Sequence, residues 1–211
     1  MRIYSAALLI TLTLIARGQA LEEPVSVLFG SDHPLPAAVL VSLQHEAESA
    51  VFPAMIRLSW ARQDAASAPG VYHRLTIVRF RGDCSLAAPL PLTSASPANA
   101  EALGQTRVVN GDVLPISDIR CDAARKYLGR EIRALPPSEQ DEAFGRALGR
   151  VVAHELYHML LRTRTHGKTG LARPAVSRAE LLAPRHAFAA AEQQRLAEGV
   201  SEESESDATG R

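Results

Sequence analysis

Apolar and polar positions change their period several times along this chain, and each change marks an element. Val25 to Phe29 (VSVLF) is a short apolar run rich in β-branched residues, which predicts a first strand. Beyond Pro34 and Pro36 the period lengthens. Val39, Leu40, Leu43, Ala47 and Val51 recur every three or four residues, so a helix is expected from Leu35 to Val51, closed by Pro53. Met55 to Ala61 (MIRLSWA) and His73 to Phe80 (HRLTIVRF) alternate apolar with polar residues, as half-buried strands do, with Trp60 in the core. Cys84 to Ala102, rich in Pro, Ser and Ala, reads as a surface loop. In TRVVNGDVLPIS, Asn110-Gly111 separates two apolar runs, and both residues tolerate the positive φ of a type I′ turn, so a β-hairpin is expected.

The longest helix is expected from Glu139 to Arg162. Pro137 precedes Ser138, and Asp141 three residues on resembles a capping box. Phe144, Ala147, Leu148, Val151, Val152 and Met159 form its apolar stripe, with Arg146, Arg150 and Tyr157 on the other side. A last helix starts at Ser177, where Ser177 and Glu180 match S-x-x-E, and carries Leu181, Leu182, Phe188 and Leu196, with Pro184 near its first turn. Beyond Glu198 the stretch SEESESDATGR is polar and acidic, and a disordered tail is expected over 199–211. The order of elements predicts an α+β fold: a small twisted mixed sheet, the long helix packed on it, and a C-terminal helix.

With 211 residues the chain suits one domain, expected over 21–198. Its 23 basic and 23 acidic side chains cancel, which argues against a nucleic-acid partner. The N-terminus changes the picture. Arg2, the apolar run from Ser5 to Ala16 and the small residues of Gly18-Gln19-Ala20 read as a signal peptide over 1–20, cleaved near Ala20. About a dozen apolar residues fall short of the roughly 20 that span a bilayer, so no stable membrane association is expected after cleavage. The mature chain is then secreted or periplasmic, and a monomer is expected. In an oxidising compartment Cys84 and Cys121 are expected to form a disulfide.

The chemistry concentrates in His154-Glu155-Leu156-Tyr157-His158. Residues four apart on a helix lie about 40° apart around its axis, so His154 and His158 can grip one zinc ion. Glu155, on the flank of that face, is placed to act as general base on water without being a ligand. A catalytic zinc site takes three protein ligands and a water. His166 is the first candidate for the third ligand, provided the chain turns back after Arg162, a turn marked by Gly167 and Gly170. Glu180 is the rival, although its capping box already explains it, and His186 is a weaker option. Asp118 is the candidate carboxylate for holding a ligand imidazole. His33, His45 and His73 are isolated. His166-Gly167-Lys168-Thr169 mimics the end of a phosphate-binding loop, but the first glycine of that motif would be Arg162 and no strand precedes it.

The stretch HELYHMLLRTRTHGKTGLAR resembles the metzincin-type zinc proteases, especially a compact bacterial branch reading HExxH-x-LLG-x-x-x-H-S-x-x-G-L-M-R. The resemblance implies a zincin-like fold, His154, His158 and His166 as zinc ligands, Glu155 as the base, and a peptide or protein substrate. Leu160, Leu161, Gly170, Leu171 and Arg173 also match. The usual metzincin spacing would put Gly at Leu161 and a third His at Arg164; the compact branch has Gly at Arg162 and Met at Ala172. Two functions follow as expectations. One is a secreted zinc-dependent peptidase. The alternative is a catalytically silent exported domain that binds zinc or a partner and lost activity with that Met.

Overall fold

Five strands form one mixed sheet in the order β2-β1-β3-β5-β4, built from β1 (Val25–Ser31), β2 (Leu58–Arg62), β3 (Leu75–Arg81), β4 (Gly104–Val109) and β5 (Asp112–Arg120). The structure, a computed structural model, describes residues 24–64, 74–88 and 101–209, the last eight by backbone alone. The expected signal peptide, His73 and most of the proline-rich loop lie outside the described residues. β1, β2, β3 and β5 run parallel, and β4 returns antiparallel to β5. The hairpin between β4 and β5 turns at Asn110 (φ 53°) and Gly111 (φ 95°), the left-handed pair that a type I′ turn requires.

The helices are α1 (Ala37–Val51), α2 (Cys121–Arg133), α3 (Pro137–Leu160), α4 (Arg178–Leu182) and α5 (Ala190–Thr209), with 3₁₀ turns at Phe52–Ala54 and Gly170–Ala172. Among the described residues, no helix is long and apolar enough to cross a membrane. The core lies where the sheet meets α1 and α3, joining Val27, Phe80 and Ile119 to Leu43, Phe144, Leu148 and Val152. Two glycines of α3 let it approach α1 backbone to backbone. A Cβ at Gly145 would stand 2.5 Å from the Val39 carbonyl oxygen, and one at Gly149 would stand 2.5 Å from that of Leu43.

Several expectations need correction. α3 begins at Pro137 with Pro136 at its N-cap, and Ser138 makes no capping hydrogen bond. Proline at the first helical position is already set at a helical φ, so the start needs no side-chain cap. Arg150 and Tyr157 are fully buried rather than on an outer face, because α3 is enclosed by the sheet, α1 and the C-terminal segment together. Arg150 Nε donates to Glu46 Oε1 at 2.6 Å, and its Nη1 donates to the Glu180 carbonyl at 2.7 Å. Trp60 sits on edge strand β2, only half-buried, and donates to Glu48 Oε1 at 2.9 Å. The single last helix is two, since the chain leaves helical geometry at Ala183 before Pro184. α5 continues to Thr209, through the acidic stretch expected to be disordered; no Gly or Pro interrupts residues 200–209.

α2 has no counterpart among the sequence expectations. Its buried Ala124, Leu128 and Ile132 recur at four-residue spacing, with Asp122 in the first turn and Arg130 and Arg133 in the last, where each complements the helix dipole. Cys121, its first residue, is joined to Cys84 by a disulfide, Cα to Cα 4.9 Å. Closing a loop of this sequence separation, 37, removes about 4 kcal/mol of chain entropy from the unfolded state.

Candidate metal centre

The last turns of α3 carry His154, Glu155 and His158, and the way the helix ends brings a third imidazole back to them. Thr163 N–H donates to the His158 carbonyl at 3.1 Å and Arg162 N–H to that of Met159 at 3.3 Å. That pair of bonds is a Schellman motif, which turns the chain sharply off the helix axis. It demands a left-handed residue, and Arg162 supplies one at φ 45° where glycine would be unstrained. The same turn presents the Thr163 carbonyl to the His158 ring, whose Nδ1–H donates to it at 2.8 Å.

From there the chain doubles back through Gly167, whose N–H donates to the Ala172 carbonyl at 2.8 Å. Leu171, in the 3₁₀ turn, offers its carbonyl to His154 Nδ1–H at 2.8 Å. Ala172, in the place where the resemblance has Met, is fully buried, and its Cβ lies 2.9 Å from where a Cβ on Gly167 would be. Small residues at both positions let the loop close tightly beneath the histidines.

The result is a triad of converging rings. His158 Nε2 lies 3.2 Å from His154 Nε2 and 3.2 Å from His166 Nε2. One ligand atom from each of the three histidines lies within 4.8 Å of the others. Tetrahedral coordination at about 2.0–2.1 Å separates ligand nitrogens by about 3.3–3.4 Å, so the two separations from His158 match those around one zinc-sized cation. The tautomers agree. Because Nδ1 of His154 and of His158 donates to a backbone carbonyl, each Nε2 of these neutral rings is a bare lone pair. Burial holds both imidazoles below their usual pKa, against the pull of the Leu171 and Thr163 carbonyls. Lone pairs facing each other at this distance repel unless a cation stands between them, which is why the arrangement reads as a metal site.

Glu180 and His186 are not part of this group. Glu180 closes the capping box of α4 with Ser177, and both its carboxylate oxygens accept from Arg173 Nη2 at 2.6 Å. Asp118 does not hold an imidazole either. Ser117 points toward α3, so Asp118, its neighbour on β5, faces the other side of the sheet and pairs with Arg79 and Arg81 at 2.9 Å. Backbone carbonyls orient the rings instead.

Glu155 is 5% exposed and lies against edge strand β4. Its Oε2 accepts a 2.6 Å hydrogen bond from Thr106 Oγ1, which is itself 2.7 Å from Ser117 Oγ. Gly104 leaves the room: a Cβ there would be 2.6 Å from Glu155 Oε1. Burial pushes the Glu155 carboxyl above the usual range, opposed first by the Thr106 hydroxyl and then by His158. Neither Thr106 nor Gly104 stands out in the sequence, because their role arises only where β4 meets α3.

A cavity of about 610 Å³ opens beside His154 and Glu155, between α2, α3 and residues 171–178. A second, of about 390 Å³, lies at the carboxyl ends of β1, β2 and β3, remote from the histidines.

No protein-family model matches the chain, and no curated protein sequence does. A solved structure is similar to it: archaemetzincin from Methanopyrus kandleri superposes with a TM-score of 0.52 at 13% identity, over 89% of this chain and 99% of that one. The chain therefore shares the α+β fold of archaemetzincin, with a five-stranded mixed sheet and helices.

Proposed function

We propose that this protein is an exported zinc-dependent peptidase that acts in the periplasm or outside the cell. The observation that carries the reading is the convergence of His154, His158 and His166 through their Nε2 atoms, with the Nδ1 atoms of His154 and His158 already committed to backbone carbonyls. These three rings would hold the zinc. The likeness in fold to archaemetzincin supports the reading, as does the match of the HELYH stretch to the metzincin pattern.

When bound, zinc supplies Lewis acidity, which acidifies water and polarises the peptide carbonyl. Glu155 then works as the base. Thr106 occupies its Oε2, so Oε1 takes the proton of the attacking water and passes it to the leaving amine nitrogen. The raised proton affinity that burial gives this carboxyl suits both halves of that transfer. β4 is a sheet edge, and an extended peptide can add to it as a further strand, next to Glu155.

The test compares wild type with Glu155→Ala, both carrying zinc, on casein and on a peptide library. The proposal expects cleavage by the first and none by the second. Ala172 favours a second reading, a zinc-binding domain without hydrolytic activity, and equal inertness of the two zinc-loaded proteins would select it.

A further inference from the structure

The cavity beside His154 and Glu155 has walls whose chemistry can choose a substrate. Its apolar lining includes Val151 and Leu171, which are buried, and the half-buried Leu103 and Val176. Four cations line it, Lys126, Arg150, Arg173 and Arg178, against two carboxylates, Glu101 and Glu155. The carboxylates that pair with these arginines, Glu46, Glu180 and Glu131, are not among the lining residues. Glu101 is held by Arg120 at 2.7 Å, and Glu155 by Thr106.

Two of the cations can reach a ligand. Arg150 is fully buried and shapes only the wall, while Arg173 is spent on Glu180. Lys126 is exposed and, among the described residues, makes no hydrogen bond or ion pair. The Arg178 side chain is 47% exposed, and its ion pair to Glu131 is long at 3.4 Å. Its guanidinium lies 4.7 Å from the centroid of the Tyr127 ring, which fixes it at the rim at little entropic cost. An apolar lining with a cationic rim fits an aliphatic stem that ends in a carboxylate, and it repels lysine and arginine.

Resting on the peptidase reading, we infer that this cavity receives an acidic side chain, glutamate above all, from the peptide residue flanking the cleaved bond, with Lys126 and Arg178 determining that specificity. The residue flanks the bond because the same cavity is walled by His154, Glu155 and Gly104 of β4, where an extended peptide would run.

Two arms test it on the mature, zinc-loaded chain. In the first, quenched fluorescent peptides carry Glu, Gln, Leu or Lys on either side of the cleaved bond. At one of the two positions kcat/KM for Glu exceeds that for its neutral isostere Gln by about tenfold, the size of one good charge contact. Lys126→Glu, a change at an exposed position, reverses the order of the Glu and Lys peptides, and Arg178→Gln shrinks the Glu-over-Gln ratio. In the second arm the Glu155→Gln protein binds the same labelled peptides in fluorescence anisotropy, with the same ranking and the same reversal.

A preference for Leu over Glu in both arms, or a ranking that Lys126→Glu leaves unchanged, overturns the inference. Binding that ranks Glu first without any cleavage by wild type would sink the peptidase reading and leave the cationic pocket for an acidic side chain standing. Cleavage without a Glu preference would do the reverse.

Discussion

Removing one methyl-sized hydroxyl from β4 isolates what the strand does for the base. Thr106→Val keeps the shape of the side chain and deletes the donor that holds Glu155 Oε2 at 2.6 Å. The carboxylate it serves is 5% exposed, so little water is on hand to replace the bond. A hydrogen bond to a charged group contributes about 1.5–3 kcal/mol. At about 1.4 kcal/mol per tenfold in rate, kcat should fall by about 10- to 100-fold. KM should move by less than about threefold, because the bond aims the base rather than binding the peptide. Zinc content should stay at the wild-type level, since the Thr106 hydroxyl bonds to Ser117 and Glu155 rather than to an imidazole. Thr106→Ser retains the hydroxyl and should recover most of kcat. Steady-state kinetics on a cleaved peptide, with zinc measured in the same samples, gives all three quantities. A Val variant as fast as wild type at full zinc, or a Ser variant as slow as the Val one, would refute the reasoning.

Three further outcomes follow from other parts of the structure. Glu46→Ala strips the partner from Arg150, which is 0% exposed, and should destabilise the fold by about 3–5 kcal/mol in denaturant unfolding; a loss under about 1 kcal/mol would mean that the guanidinium is satisfied without it. Glu180 is held down to about 2 by the Ser177 hydroxyl and N–H, helped by Arg173. A depressed carboxyl stabilises the fold above its unfolded pKa and loses that contribution as pH falls toward the folded one, so the melting points of wild type and Glu180→Gln should converge between about pH 5 and pH 2. Convergence in the opposite direction would contradict the capping box. Arg162→Gly relieves a left-handed arginine at φ 45° and should change stability by less than about 1 kcal/mol, as gained backbone ease offsets unfolded-state entropy, while zinc affinity is retained. A collapse of zinc affinity in that variant would show that the arginine side chain, not the turn, builds the loop.

Period and turn chemistry carried much of the fold in plain view. β1, α1, β3 and the Asn110-Gly111 hairpin follow from patterns that a reader can count along the chain. α2 carries an equally countable pattern in Ala124, Leu128 and Ile132, yet its strong charge obscures it. What no local pattern shows is burial from several sides. Arg150 and Tyr157 read as an outer face because a single helix stripe cannot reveal that α1 and the C-terminal segment close over the rest of α3.

The site divides in the same way. His154, Glu155 and His158 are spaced by the helix itself, so sequence spacing is enough to gather them. His166 needs a turn whose geometry rests on Arg162 adopting a conformation that arginine disfavours. The partners of the rings are the carbonyls of Thr163 and Leu171, and backbone groups leave no mark in a sequence. Thr106 and Gly104 reach Glu155 only through the stacking of β4 against α3, a relation between segments about fifty residues apart.

Zinc stoichiometry of the purified protein and of three single variants tests the central claim most directly. The account predicts one zinc per wild-type chain, a loss of most of it in His166→Ala, and full retention in Glu180→Ala and His186→Ala. Wild-type protein with well under half an equivalent of zinc, or His166→Ala protein that holds it as tightly as wild type, would contradict the account.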